Sequence, residues 1–408
     1  MATARKQKGT GSRTHHASQP RRGGGGGGGG GSVGVTAQQH PEPRGLHFPA
    51  ELQQLILDVF RRAFLFDHEQ LELKSTIQEV KGHLFQRDFA RAFAKPEYLD
   101  AYALRWSASR ALGYTSVFLH HDLQRVWHGL AETAATALST NANSISKEAH
   151  LPRANGACSV VCIGGGGGAE VVACAAAART LSLPSGRLTV HVVDIADWSA
   201  CLEKLEQALC TPPPLSLYVS ESAKAANKLF TTSDALSLRV TQHDILAMDE
   251  AGLLQNTLCR VHLCTIMFTL NELFSASLAR TTAFLLALTD AMSPGSWLLV
   301  VDSPGSYSEV KMGSGFSAGE GQADAKTQTR RYPMKWLLDH ALLEVAGKQN
   351  DEEGSTSKWR KCVSDDSRWF RLSQQQPLRY PVELENMRYQ IHLYQRIQPA
   401  DRDGERQG

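Results

Sequence analysis

The sequence predicts an α/β fold in which a mostly parallel, twisted sheet follows an N-terminal helical region and a basic, glycine-rich tail. Three observations carry this. Beyond residue 157, short β-branched runs alternate with helical stretches, the pattern of successive βα units. Before that point the apolar residues recur at helical spacing rather than alternating. The first 45 residues contain the unbroken run Gly23 to Gly31 and offer no apolar face to bury.

A chain of 408 residues can bury one large core with a smaller companion. The expected division is a disordered basic tail over 1–45, a helical region over 46–140, a linker over 141–157, a sheet domain over 158–398 and a disordered end over 399–408. The tail carries Arg5, Lys6, Lys8, Arg13, Arg21, Arg22 and Arg44 against Glu42 alone, so the positive excess is concentrated there. Such an arm either meets a polyanion such as RNA or is simply solvated. Eight cysteines without a C-x-x-C pair, several inside apolar runs, suit buried thiols in a reducing compartment. No hydrophobic leader and no run long enough to span a bilayer is present, so a soluble, intracellular protein is expected. A monomer acting in the nucleus, the nucleolus or the cytoplasm is a separate expectation.

In the helical region, ELQQLILDVFRRAF places Leu52, Leu55, Ile56, Val59, Phe60 and Ala63 on one helical face. A second helix runs from about Glu69 through VKGHLFQRDFARAF, and a third covers EYLDAYALRWSASRALGYTSVFLH, with Pro96 in its first turn. A further helix is expected over LQRVWHGLAETAATAL. The expected strands are Ser159–Ile163, Leu188–Val193, Ser237–Thr241, Val261–Met267 and Trp297–Asp302. TPPPLS, GSGFSAGEGQADAKTQ and GKQNDEEGSTSK read as loops, and SRWFRL with MRYQIHLYQRI as an antiparallel edge pair.

The chemistry centres on SVVCIGGGGGAEVVACAAAA, where an apolar strand stops at Gly164, Gly165, Gly166, Gly167 and Gly168 and an alanine-rich helix begins at once. Glycines let the backbone turn sharply against a ligand, and the helix start offers free N–H groups. Asp194 closes the second strand, where a carboxylate can accept hydrogen bonds from ribose hydroxyls; a helix N-cap is the alternative. Trp198 follows at a spacing that reaches an adenine or the core. Asp244, after the third strand, suits the adenine amino group or a cap equally.

A dinucleotide site shares part of this pattern, because Gly164, Gly166 and Ala169 satisfy G-x-G-x-x-A. Asp244, the long helical region before the sheet and the C-terminal extended pair favour S-adenosylmethionine as cofactor. The fourth strand ends in IMFTLNELF, which brings Thr269, Asn271 and Glu272 to the rim where a methyl group would lie, and Asp302 and Tyr307 follow the fifth strand on the same rim. Helix capping would account for Thr269, Asn271 and Glu272 without chemistry.

IQEVKGHLFQRDFARAF, YLDAYALRWSASRALGY, VVCIGGGGGAEVVA and FTLNELF together resemble the fungal family of 25S ribosomal RNA uridine-N3 methyltransferases. The block Arg105 to Leu112 is the more specific part, since glycine-rich turns occur in many folds. The resemblance implies a class I methyltransferase (Rossmann-like) sheet of seven strands with an antiparallel edge hairpin, S-adenosylmethionine, and 3-methyluridine in rRNA or a pre-ribosomal particle as product. It departs from the general class I pattern at Cys162, where an acid often precedes the glycines.

Uridine N3 carries a proton at neutral pH that must be lost before or during attack, and a positioned carboxylate can contribute as general base, with Glu272 as first candidate and Asp302 as second. Arg105 and Arg110 are expected to grip phosphate and Trp106 to stack a base, although Tyr102 and Trp106 lie four apart and equally suit helix packing. No metal is expected. The rival readings are a protein or small-molecule N-methyltransferase, and a catalytically silent RNA-binding factor on the same fold.

Overall fold

The structure, a computed structural model, describes residues 48–65, 70–127, 158–182, 187–216, 218–247, 251–305, 307–311, 329–348, 357–373 and 375–398. The basic tail, the linker, most of the fourth expected helix, the 313–328 loop and the last ten residues lie outside the described residues.

The helical region comprises α1 (Ala50–Phe64), α2 (Gln70–Phe85), the single turn α3 (Phe89–Ala92), α4 (Pro96–Tyr102) and α5 (Ala108–Phe118). Pro96 opens α4 at its first position, where a missing N–H is harmless. The third helix expected from the sequence does not run evenly. Between α4 and α5, Ala103–Ser107 widens into a π turn, which changes the angle at which later side chains leave the helix. No breaker residue marks it.

The sheet follows as β1 (Cys158–Ile163), α6 (Ala169–Leu181), β2 (Leu188–Asp194), α7 (Ser199–Cys210), α8 (Glu221–Ala226) and β3 (Leu236–Gln242). It continues with α9 (Ala251–Leu258), β4 (Leu263–Met267), α10 (Leu270–Ala276), α11 (Leu278–Ala291) and β5 (Trp297–Asp302). A small hairpin of β6 (Tyr307–Lys311) and β7 (Thr329–Pro333), absent from the sequence reading, precedes α12 (Met334–Asp339). β8 (Trp359–Phe370) and β9 (Met387–Arg396) complete the chain.

Strand order is β3-β2-β1-β4-β5-β9-β8, with β1 to β5 parallel and β9 and β8 each antiparallel to its neighbour. This is the seven-stranded class I methyltransferase arrangement, with the reversed pair at one edge. The order switches direction between β1 and β4, and the crevice beyond the carboxyl ends of those strands is where such sheets bind ligands.

β4 and β5 are buried along their whole length, which is why they read as continuous apolar runs. Alternate side chains serve two cores. Val160, Cys162, Val190, Val192, Leu299 and Val301 join α1, α5, α6 and α7 on one face. Val161, Ile163, Val193, Ile266, Leu298 and Val300 join α9, α11 and α12 on the other. The helical region thus shares its core with the sheet. Arg62 of α1 reinforces the contact by donating to the carbonyls of Ala208 and Thr211 at the end of α7, where a cation also meets the negative helix terminus. The eight cysteines are all free, and no described helix is long and apolar enough to cross a membrane.

Beneath the β1–α6 turn lies Glu170, whose carboxylate oxygen accepts from the Thr265 hydroxyl. Burial raises its pKa to about 8 against the opposing effect of that hydrogen bond, so the carboxyl is largely protonated in the fold at neutral pH.

Two outcomes follow. Leu112→Ala, in the shared core, should cost about 2–5 kcal/mol of stability in urea unfolding, and a cost under about 1 kcal/mol would show that α5 is dispensable to the sheet. Because the folded pKa of Glu170 lies above the ordinary value of 4.5, its contribution to stability is full below about 4.5 and is lost as pH rises through about 8. Glu170→Gln should therefore flatten the urea midpoint between pH 5 and 8, and an unchanged slope would contradict the assignment.

Candidate active site

The five glycines leave β1 and enter α6 without a side chain between them. Gly164 and Gly168 take φ of 73° and 76°, the left-handed region that glycine occupies at least cost. Gly164 donates to the Val193 carbonyl at 2.8 Å and Gly168 to the Gly165 carbonyl at 3.1 Å, which fixes the turn to β2 and to itself. The middle of the turn is a matter of contact. A Cβ on Gly166 would overlap the Trp198 indole, and one on Gly167 would strike the Ser107 hydroxyl and, at 2.9 Å, the Tyr102 ring. The π turn and the residue before it therefore lie directly on the glycines.

Phe93, Tyr102, Trp106 and Trp198 form a continuous aromatic cover. Ring centroids are 5.2 Å apart for Phe93 and Tyr102, 5.7 Å for Tyr102 and Trp198, and 5.4 Å for Tyr102 and Trp106. Trp198 is buried, and its indole Nε1 sits beside the Asp194 carboxylate without a hydrogen bond of proper geometry. Asp194 turns one oxygen to the Gly166 amide at 3.1 Å and the other to the Ala196 amide at 3.0 Å. Burial pushes its pKa up, and these amide bonds oppose the shift. Asp244 is exposed and accepts from the Leu246 amide at 2.9 Å, the geometry of a capped turn.

These features fit the nucleoside end of S-adenosylmethionine. Asp194 is at the strand end next to the turn, its carboxylate lies beside the buried Trp198 indole N–H, and α6 begins with no side-chain cap over its first amides.

A second group of residues gathers at the ends of β4 and β5. Phe268, just past β4, is held at φ 56°, an uncommon conformation for a large side chain. The Arg110 guanidinium lies 3.6 Å from the centroid of its ring. Thr269 packs on Gly164, so this group borders the glycine turn. Asp302 is 3% exposed and accepts from the Asn271 amide at 3.0 Å and the Ser303 amide at 2.7 Å. Burial raises its pKa to about 6, opposed by those amides; Glu272 nearby adds to the rise and Arg110 subtracts from it. Glu272 itself is ion-paired with Arg87 from the helical region and is partly exposed.

The structure thus brings Gly164, Gly165, Gly166, Gly168, Asp194 and Trp198 together, and beside them Asn271, Asp302 and Arg110. Arg105 goes elsewhere. Its side chain is 13% exposed and binds Glu385 at 2.6 Å, which ties the helix to the segment before β9. Trp106 is half-buried against Tyr102. Tyr307 begins β6. Sequence reasoning did not single out Tyr102 and Ser107 as contacts of the turn, Phe268, or Glu170. The four-residue spacing of Tyr102 and Trp106 was the available signal for the first, and the acid in the first turn after the glycines for the last.

The family model described as "Putative SAM-dependent methyltransferase" matches residues 60–395, which takes in the helical cover as well as the sheet. The Saccharomyces cerevisiae protein named 25S rRNA (uridine(2843)-N(3))-methyltransferase is 30% identical over 350 residues, covering 84% of this chain and 85% of the yeast protein. Among solved structures, a SAM-dependent methyltransferase from Methanosarcina mazei is 10% identical with a TM-score of 0.29, covering 59% of this chain and 92% of its own. The antibiotic-resistance methyltransferase Kmr is 16% identical with a TM-score of 0.31, covering 59% of this chain and 87% of its own. A seven-stranded sheet switching direction at a glycine turn, and a family match over most of the chain, lead to one conclusion: this chain belongs to the SAM-dependent methyltransferase family.

Proposed function

We propose that the protein methylates N3 of a uridine in large-subunit ribosomal RNA. The observation that carries this reading is the similarity to the yeast 25S rRNA uridine-N3 methyltransferase, which extends over 84% of the chain, more than a sheet domain alone would give. Asp194 and the amides of the turn would hold the ribose and adenosine of the cofactor, and Trp198 would close over them. S-adenosylmethionine, when bound, supplies an electrophilic methyl group. The remaining work falls to the chain's own residues: to orient the base, exclude water and remove the N3 proton.

For that last task the geometry favours Asp302 over Glu272. Asp302 is buried, and its pKa of about 6 lies close to working pH, where a general base is most effective. Glu272 is occupied by Arg87. N3 lies on the pairing edge of uracil, so the target must be unpaired, which suits free rRNA or an early precursor particle. The 30% identity is to a uridine-N3 enzyme acting on 25S rRNA, and no observation favours a small-molecule substrate over it.

Nucleoside analysis of rRNA from cells lacking the protein should show the loss of 3-methyluridine at one position, and its persistence at every position would defeat the proposal. Asp194→Asn should weaken S-adenosylmethionine binding by calorimetry about ten- to a hundred-fold, the value of a hydrogen bond to a charged group, and an unchanged affinity would remove Asp194 from the site. An ionised Asp302 is the active form, so kcat/KM should rise with pH through about 6 and level off above it. Asp302→Asn should lower kcat by about 10² to 10⁴ and abolish that limb; a variant that keeps the limb would point to another base.

A further inference from the structure

Two buried polar atoms near Phe268 have no partner among the described residues: Nη1 of Arg110, a donor, and Oδ1 of Asn271, an acceptor. Leaving either unsatisfied costs about 1–3 kcal/mol, so both are available to a ligand that can pair with them. They belong to one neighbourhood. Arg110 lies over the Phe268 ring, is within electrostatic reach of Asp302, and donates to the hydroxyl of the buried Tyr114, so only its Nη1 is left over. Asp302 in turn accepts from the backbone amide of Asn271. Thr269, between Phe268 and Asn271 in sequence, rests on Gly164, so this segment borders the glycine turn.

A donor and an acceptor that both border Asp302, neither with a protein partner, suit a ligand edge presenting an acceptor beside a donor. Uracil has that edge in its O4 carbonyl and N3–H. Cytosine presents the reverse, an amino donor beside an unprotonated N3, so both contacts would become repulsive. We infer that Arg110 and Asn271 form a base-reading site, in which the Arg110 guanidinium donates to the uracil O4 carbonyl and the Asn271 carboxamide oxygen accepts from N3–H. This rests on the uridine-N3 reading above and assigns Arg110 a base contact in place of the phosphate contact expected from the sequence.

The site has a catalytic consequence. The Asn271 oxygen holds N3–H only in the recognition complex. As the base leaves it, the proton passes to the Asp302 carboxylate, which lies against the Asn271 amide, N3 is freed for the methyl group, and the negative charge left on N3 spreads onto O4. A fixed guanidinium at O4 stabilises that charge as a donor does in an oxyanion hole, where removing one such donor costs about 10² to 10³ in kcat. The Arg110 charge also opposes, in small part, the burial that raises the Asp302 carboxyl. The positive φ of Phe268 is consistent with a segment held in an unfavourable conformation to present these groups.

The test uses the full chain and in vitro transcripts of large-subunit rRNA prepared with either uridine or 5-fluorouridine, whose N3 is more acidic and needs less help to ionise. Arg110→Gln should lower the rate of N3 methylation on the uridine transcript about 100-fold and on the 5-fluorouridine transcript less than about tenfold, with S-adenosylmethionine affinity unchanged. An equal loss on both transcripts, or no loss on either, would overturn the assignment. If the glutamine variant does not bind the cofactor, Arg110→Lys, which keeps a donor and a charge, is compared instead. It should show the same narrowing between transcripts at a smaller deficit, and equal deficits would overturn the assignment. Asn271→Ala should raise the yield of 3-methylcytidine relative to 3-methyluridine, and an unchanged ratio would remove Asn271 from base reading. A wild-type protein that binds the cofactor yet makes no 3-methyluridine on either transcript would overturn the uridine reading itself, an outcome distinct from a failure of Arg110.

Discussion

Everything in the site depends on a backbone that carries no side chains where three elements converge. The turn after β1 must pass beneath the Tyr102 and Ser107 side chains of the helical region and against the Trp198 indole after β2, and a single methyl on Gly166 or Gly167 would overlap those groups. The absence of Cβ atoms lets the helical region, the turn and the β2–α7 connection occupy adjoining space. The Asp194 carboxylate then fastens the turn through the Gly166 amide. The helical cover thus adjoins the proposed cofactor site, and the family match beginning at residue 60 takes it in.

Burial tunes three carboxyls in one crevice differently. Glu170, beneath the turn with a hydroxyl as its hydrogen-bond partner, is raised to about 8 and serves as a neutral packing and hydrogen-bonding group. Asp302, equally buried but bonded by two amides and facing Arg110, rises only to about 6 and remains available as a base. Asp194 is raised by burial and restrained by the Gly166 and Ala196 amides, which suits a carboxylate that accepts hydrogen bonds. Separating groups by environment in this way is how one fold assigns different tasks to chemically identical side chains.

Much of this was legible in the sequence because the local signals agreed with the final environment. β1, β4 and β5 are apolar runs buried almost throughout and β2 is more than half buried, whereas β3, at the sheet edge, buries only Leu236; the turn residues admit few alternatives. What escaped depended on tertiary contact. The π turn at Ala103–Ser107 contains no helix breaker and is identified only from its packing on the glycines. Arg105 looked like a phosphate ligand because its partner Glu385 lies 280 residues away. Arg110 read as a phosphate ligand as well, since nothing local shows that Phe268 will lie under its guanidinium. The β6–β7 hairpin was missed because TRRYP pairs two arginines with a proline and lacks the apolar alternation of a strand.

The central claim is that the glycine turn and the helical cover form a single cofactor site. Hydrogen exchange read by mass spectrometry, with and without S-adenosylmethionine, tests it most directly. The account predicts that peptides containing Gly164 to Gly168 and peptides containing Tyr102 to Arg110 slow their exchange together as the cofactor saturates. Protection confined to the sheet side, with the helical peptides unchanged at saturation, would contradict it.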